Sequence, residues 1–229
     1  MKVTYLEHSG FAAEYKEYVL IFDWYRGSLP EFDPQKKIYV FASHSHYDHF
    51  NKKIFGWSEQ YPDVRYILSA DIAGKEQSER TAYVTANKKY DFDGIKVQTL
   101  HSTDEGVAFI VYMEDKVIYH AGDLNWWHWE EETESYNEQM RQDYQREIDK
   151  LKDIVIDIAF VPLDPRQENQ YACGMDYFMK HTHTKYVFPM HMWGDYEVYD
   201  RLMENPEAEP YKERVIKVKE PGQVFEVNV

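Results

Sequence analysis

Residues 37–49 read Lys37-Ile-Tyr-Val-Phe-Ala42-Ser-His44-Ser-His46-Tyr-Asp48-His49, an apolar run with strand composition followed at once by four metal-competent side chains within six residues. In an extended segment alternate side chains share a face, so His44 and His46 point the same way, while Asp48 and His49 follow once the chain has turned. One short loop can therefore serve two adjacent ions. Imidazole and carboxylate suit zinc, manganese, iron and related divalent ions, and a chain whose only thiol is Cys173 does not rely on thiolate ligands.

Working outward, the first hundred residues are strand-rich: Lys2 to Leu6, Phe11 to Tyr15, Tyr18 to Phe22, Ile38 to Ala42, Val64 to Leu68 and Ile95 to Leu100. Further strands are expected at Val107 to Met113, Val117 to Tyr119, Ile154 to Val161, Tyr186 to Phe188 and Val224 to Val227. A helix is predicted from Asp48 toward Tyr61, stopping before Pro62, with others over Met175 to His181 and Tyr196 to Met203. The clearest helix runs from Glu134 to Lys152, where Tyr136, Met140, Tyr144, Ile148 and Leu151 form one apolar stripe, read as core. The mixture implies an α/β sandwich, and nothing within 1–229 marks a domain boundary.

The net charge of −15 disfavours nucleic acid and anionic membranes as partners. No segment approaches the ~18 apolar residues of a membrane span, and the start Met1-Lys-Val-Thr-Tyr lacks the apolar stretch of a signal peptide, so a cytoplasmic location is expected. A single cysteine allows no internal disulfide. The twelve Phe, six Trp and twenty Tyr residues suit a large core and equally a homo-oligomer interface.

Three more strand-like runs end in a potential ligand: Lys96 to Leu100 in His101, Val117 to Gly122 in Asp123, and Lys185 to Met190 in His191. In layered α/β folds functional groups gather where strands end, because loops there are held by a rigid sheet yet open to solvent. His44-x-His46-x-Asp48-His49, followed by His101, Gly122-Asp123 and His191, resembles the signature of the metallo-β-lactamase fold superfamily across nearly the whole chain. That resemblance implies a four-layer αββα sandwich with two metals at its rim. His44, His46 and His101 would hold one ion, Asp48, His49 and His191 the other, and Asp123 would bridge them.

Within the superfamily, diiron flavoproteins carry Glu where this chain has His46, and the familiar secreted zinc β-lactamases use Cys where it has Asp123. Nucleases of the fold carry a large insertion and glyoxalase II a helical C-terminal domain, whereas 38 residues follow His191 here. The chain is more similar to compact hydrolases of the L-ascorbate-6-phosphate lactonase type, with His8-Ser-Gly-Phe11, Ile21-Phe-Asp23 and His101-Ser-Thr-Asp-Glu-Gly106 as supporting features, although Trp24 stands where Pro usually follows Asp23. The expected activity is hydrolysis of a small-molecule ester, lactone or phosphoester by hydroxide activated between two divalent ions, with Asp48 orienting the water or taking its proton. A cyclic-nucleotide or phospholipid phosphodiesterase and a non-catalytic metal-binding or interaction protein are the alternatives.

Other residues carry weaker signals. His8 reads either as a substrate contact at the pocket mouth or as part of a Ser-Gly turn, and Trp126, His128 and their neighbours Trp127 and Trp129 as a substrate wall or a plug on the core. His120 reads as a packed group or one supporting a ligand, and His181-Thr-His183 as structural. Arg166 is either a contact for an anionic substrate or a solvated surface group. Cys173 reads as a small buried hydrophobe and Glu130 to Glu132 as a solvated face.

Overall fold

The computed structural model describes residues 1–74 and 78–229. Thirteen strands occur among them: β1 (Lys2–Glu7), β2 (Gly10–Tyr15), β3 (Tyr18–Phe22), β4 (Lys37–Ala42), β5 (Arg65–Ser69), β6 (Thr81–Val84), β7 (Lys89–Phe92), β8 (Ile95–His101), β9 (Val107–Met113), β10 (Lys116–His120), β11 (Val155–Pro162), β12 (His183–Met190) and β13 (Val224–Glu226). They form two sheets, ordered β13-β1-β2-β3-β4-β5-β6 and β12-β11-β10-β9-β8-β7. The α-helices are α1 (Glu134–Ile148), α2 (Cys173–His181) and α3 (Val198–Glu204).

Alternation along the strands explains why the sheets stack. Leu20 and Phe22 of β3 and Tyr39 and Phe41 of β4 join the core between the sheets, while Val19, Ile21, Ile38 and Val40 face a second apolar cluster. That outer cluster is closed by Phe32, Ile54 and Tyr61, so strands buried on both faces read as continuous apolar runs. Across the other sheet Tyr119 stacks on Phe178 of α2 at 5.1 Å, and Tyr144 of α1 donates to the Gly174 carbonyl at 2.8 Å. The expected layered α/β architecture is present, with two large sheets and helices outside them.

Three sequence expectations change. The helix predicted from Asp48 is a 3₁₀ segment, Lys52–Glu59, capped by Asn51 Oδ1 accepting from the Lys53 N–H. Residues 47–49 stay in turns, and Gly56 weakens any continuous α-helix through this stretch. Strands β6 and β7 escape sequence reading because both lie at sheet edges, where short, partly exposed segments with polar residues replace the apolar alternation. The stripe on α1 divides: Tyr144, Ile148 and Leu151 are core, whereas Tyr136 and Met140 border a cavity beside the candidate ligands.

The topology places the chemistry. β3, β4, β5 and β6 run parallel, as do β10, β11 and β12. The chain leaves the ends of β4, β10 and β12 directly into His44, Asp123 and His191.

Candidate metal centre

Two groups of side chains are close enough to share an ion: His8, Asp48, His49 and His191 in one, His44, His46 and Asp123 in the other. Asp123 joins them. Its Oδ1 lies 3.2 Å from His49 Nε2 and 3.4 Å from His191 Nε2, and its Oδ2 lies 3.5 Å from His44 Nε2. His44 Nε2 is also 3.0 Å from His46 Nδ1, and His8 Nε2 is 3.5 Å from Asp48 Oδ2.

His49, His44 and His191 are aimed from behind. Asp23, at the end of β3, accepts from His49 Nδ1 at 2.8 Å, from the Ser43 N–H at 2.7 Å and from Ser43 Oγ at 2.6 Å. Ser43 Oγ in turn lies 3.0 Å from His44 Nδ1. Asp164, just past β11, accepts from His191 Nδ1 at 2.9 Å and is gripped by Arg166 through Nε and Nη2. A carboxylate behind an imidazole fixes its tautomer and leaves Nε2 free to bind a cation. Backbone packing fixes the loop as well. A Cβ at Gly106 or Gly122 would fall 1.9 Å from the Ser43 carbonyl oxygen or 2.6 Å from Ser43 Cβ, and both glycines have φ above +50°.

The donor set fits divalent ions. His8 Nε2, His49 Nε2 and Asp123 Oδ1 are buried and make no hydrogen bond among the described residues. Orphaned polar atoms pointing at one another are costly in a protein interior, and a cation satisfies all of them at once. Burial is the main influence on their protonation. It pushes His8 down to about 2, with the neighbouring His191 and His49 adding to the effect, and His44 down to about 3. It pushes Asp123 up to about 7, partly countered by His191. Burial also opposes ionisation of Asp164, yet the hydrogen bonds from His191 and Arg166 outweigh it and hold that carboxylate at about 2.

The structure brings together six of the seven side chains that the resemblance implied as ligands. His101 stands apart. It is the last residue of β8, exposed where Leu100 before it is buried, and it borders a cavity formed with Asp143, Arg146 and Glu147 of α1. It belongs to neither ligand group, and its backbone N–H donates to a Glu147 carboxylate oxygen at 3.1 Å. Thr103, two residues on, reaches the site instead, its Oγ1 donating to the Asn125 carbonyl at 2.6 Å.

The expected substrate contacts are also redistributed. His8 lies within the ligand group with 5% of its surface exposed, not at a pocket mouth. Trp126 and His128 border a cavity of about 710 Å³ beside the start of α1, which contains none of the candidate ligands. Their neighbours Trp127 and Trp129, stacked at 5.9 Å, face a smaller cavity of about 140 Å³ with Asp123, His191, Tyr136 and Arg166. The segment alternates, so odd and even positions serve different cavities. Arg166 is less free than a surface arginine, since it pairs with Asp164 and lies over the Trp193 ring at 4.4 Å.

His120 packs face to face on Phe22, and its Nε2 meets the Ser9 carbonyl at 2.8 Å, while His181 stacks on Tyr177. Asp23 and Asp164 are the supports that sequence reading did not assign as such. The signal for Asp164 was present, because it follows an apolar strand in the same manner as Asp123 and His191.

A family model described as the beta-lactamase superfamily domain matches residues 2–141. A UPF0173 metal-dependent hydrolase of Desulforamulus reducens is 30% identical over 141 residues, covering 54% of this chain and 62% of that protein. The UPF0173 metal-dependent hydrolase YtkL of Bacillus subtilis is 29% identical over 143 residues, covering 54% and 63% respectively. The aligned region thus spans a little under two thirds of these relatives.

Among solved structures, a metallo hydrolase of the archaeon Ignicoccus hospitalis superposes with a TM-score of 0.67 at 17% identity, covering 99% of both chains. The metallo-beta-lactamase fold protein YhfI of Bacillus subtilis superposes with a TM-score of 0.64 at 14% identity, covering 98% of both. No helix among the described residues is long and apolar enough to cross a membrane. With a family model across more than half its length and the same fold in these structures, the chain belongs to the metallo-β-lactamase superfamily.

Proposed function

We propose that this chain is a metal-dependent hydrolase acting on a small-molecule ester, lactone or phosphoester with the help of two divalent ions. The observation that carries the reading is the position of Asp123, whose two carboxylate oxygens face different histidine groups. His44, His46 and Asp123 would hold one ion and Asp48, His49 and His191 the other, with Asp123 shared between them. The UPF0173 relatives named as metal-dependent hydrolases support the reaction class.

When bound, a pair of such ions lowers the pKa of water toward ~7 and polarises a carbonyl or phosphoryl oxygen. The chain's own groups do the rest. Asp48 keeps 13% of its side chain exposed at the edge of its group, where its carboxylate orients the attacking water and accepts its proton. Trp127 and Trp129 wall the small cavity and exclude bulk water, which strengthens polar interactions within it. The cavity's size favours a compact acyl or phosphoryl group.

The test is a hydrolysis panel of lactones, carboxylic esters and phosphodiesters on protein stripped of metal and reloaded with zinc or manganese. Activity on at least one class is expected to disappear on chelation and in Asp123→Ala and His46→Ala. Hydrolysis that survives all three treatments would overturn the reading.

A further inference from the structure

We propose that His8 is itself a metal ligand, completing the second ion's site from the opposite end of the chain and making it the tighter of the two. The proposal rests on the two-ion reading above and adds a donor to it. His8 occupies the turn between β1 and β2, and its Nε2 is buried, makes no hydrogen bond and lies 3.5 Å from Asp48 Oδ2. Its ring centroid is 4.2 Å from that of His191 and 5.5 Å from that of His49. An unpaired buried nitrogen among three other donors is costly unless a cation meets it.

The backbone holds this position deliberately. The β1–β2 pairing slips register between Tyr5 and Glu7, a bulge immediately before His8 that redirects the side chain. His8 then adopts φ of 54°, and its carbonyl accepts the His191 N–H at 3.2 Å, while His191 has φ of 63°. Two non-glycine residues in left-handed conformations, tied to each other, keep both imidazoles facing the same point.

Counting donors then separates the two sites. His8, Asp48, His49 and His191 surround the second, before Asp123 is included. The first has His44, His46 and Asp123, with 45% of the His46 side chain exposed and His101 outside the group. More donors and deeper burial predict that the second site fills first.

Zinc competition against a chromophoric chelator tests this on the stripped full chain. Wild type is expected to show two steps. His8→Ala and His8→Gln are expected to weaken the tighter step at least about tenfold and leave the weaker one in place, whereas His46→Ala changes only the weaker. In histidine-labelled wild-type protein, the His8 Nε2 resonance is expected to move to a zinc-bound position during the first step, a readout independent of whether the variants fold. Two unchanged steps in both His8 variants, or a stationary His8 resonance through the first equivalent, would overturn the role of His8 while leaving the two-ion reading intact. A wild-type chain that takes up no zinc would overturn both.

Discussion

Asp23 Oδ2 lies 2.8 Å from Nδ1 of His49, with both side chains completely buried. This contact dictates which nitrogen of His49 faces Asp123, and through Ser43 the same carboxylate also steadies His44. Asp23→Asn keeps the shape but removes the charge behind the imidazole. Zinc affinity is expected to fall about 10–100-fold with the fold retained, measured by chelator competition and near-ultraviolet circular dichroism. Unchanged affinity would show that the contact only packs.

Metal uptake should be steeply pH-dependent. Burial raises Asp123 to about 7, and a carboxylate must lose its proton to bind a cation. Below about pH 7 the zinc dissociation constant is therefore expected to weaken about tenfold per pH unit or more. His8 and His44, held neutral down to about 2 and 3, add no proton release in this range. In Asp123→Asn both the affinity and Asp123's share of the slope should be lost.

Asp164 makes a separate prediction about folding. Its folded pKa of about 2 lies below the ~3.9 of an unfolded aspartate. A depressed carboxylate contributes stability that is present above the unfolded pKa and lost as pH falls through the folded one. Here the contribution is about 2–3 kcal/mol, present above about pH 4 and gone near pH 2. The difference in urea-unfolding free energy between wild type and Asp164→Asn should shrink across that window, and a constant difference would contradict the assignment.

His101 supplies a discriminating null. Because it borders a cavity with Asp143, Arg146 and Glu147 and lies outside both ligand groups, His101→Ala is expected to leave zinc stoichiometry and both affinities unchanged within about twofold. A loss comparable to that in His46→Ala would place His101 at the ions after all.

The fold was legible where physics is local. The run from Lys37 to Ala42 carries the composition of a strand buried on both faces and appears as one, while the helix expected over Glu134 to Lys152 forms over Glu134–Ile148 and continues as a 3₁₀ turn, Asp149–Leu151. The candidate site was legible to the extent that candidate ligands follow strand ends, as His44, Asp123 and His191 do. Sequence could not tell which cavity each residue at a strand end or in the loop after it would border, and this separates His101 from the ligand groups and Trp126 from Trp127. Nor could it place His8 beside His191, because that contact depends on a bulge and two left-handed residues far apart in the chain.

The most direct test of the central claim is anomalous diffraction from crystals of the zinc-loaded chain. Two zinc peaks about 3.5–4 Å apart are predicted, on either side of the Asp123 carboxylate, one beside His44 and His46 and the other beside Asp48, His49 and His191. Zinc bound only elsewhere on the surface, with Asp123 contacting none, would contradict the account.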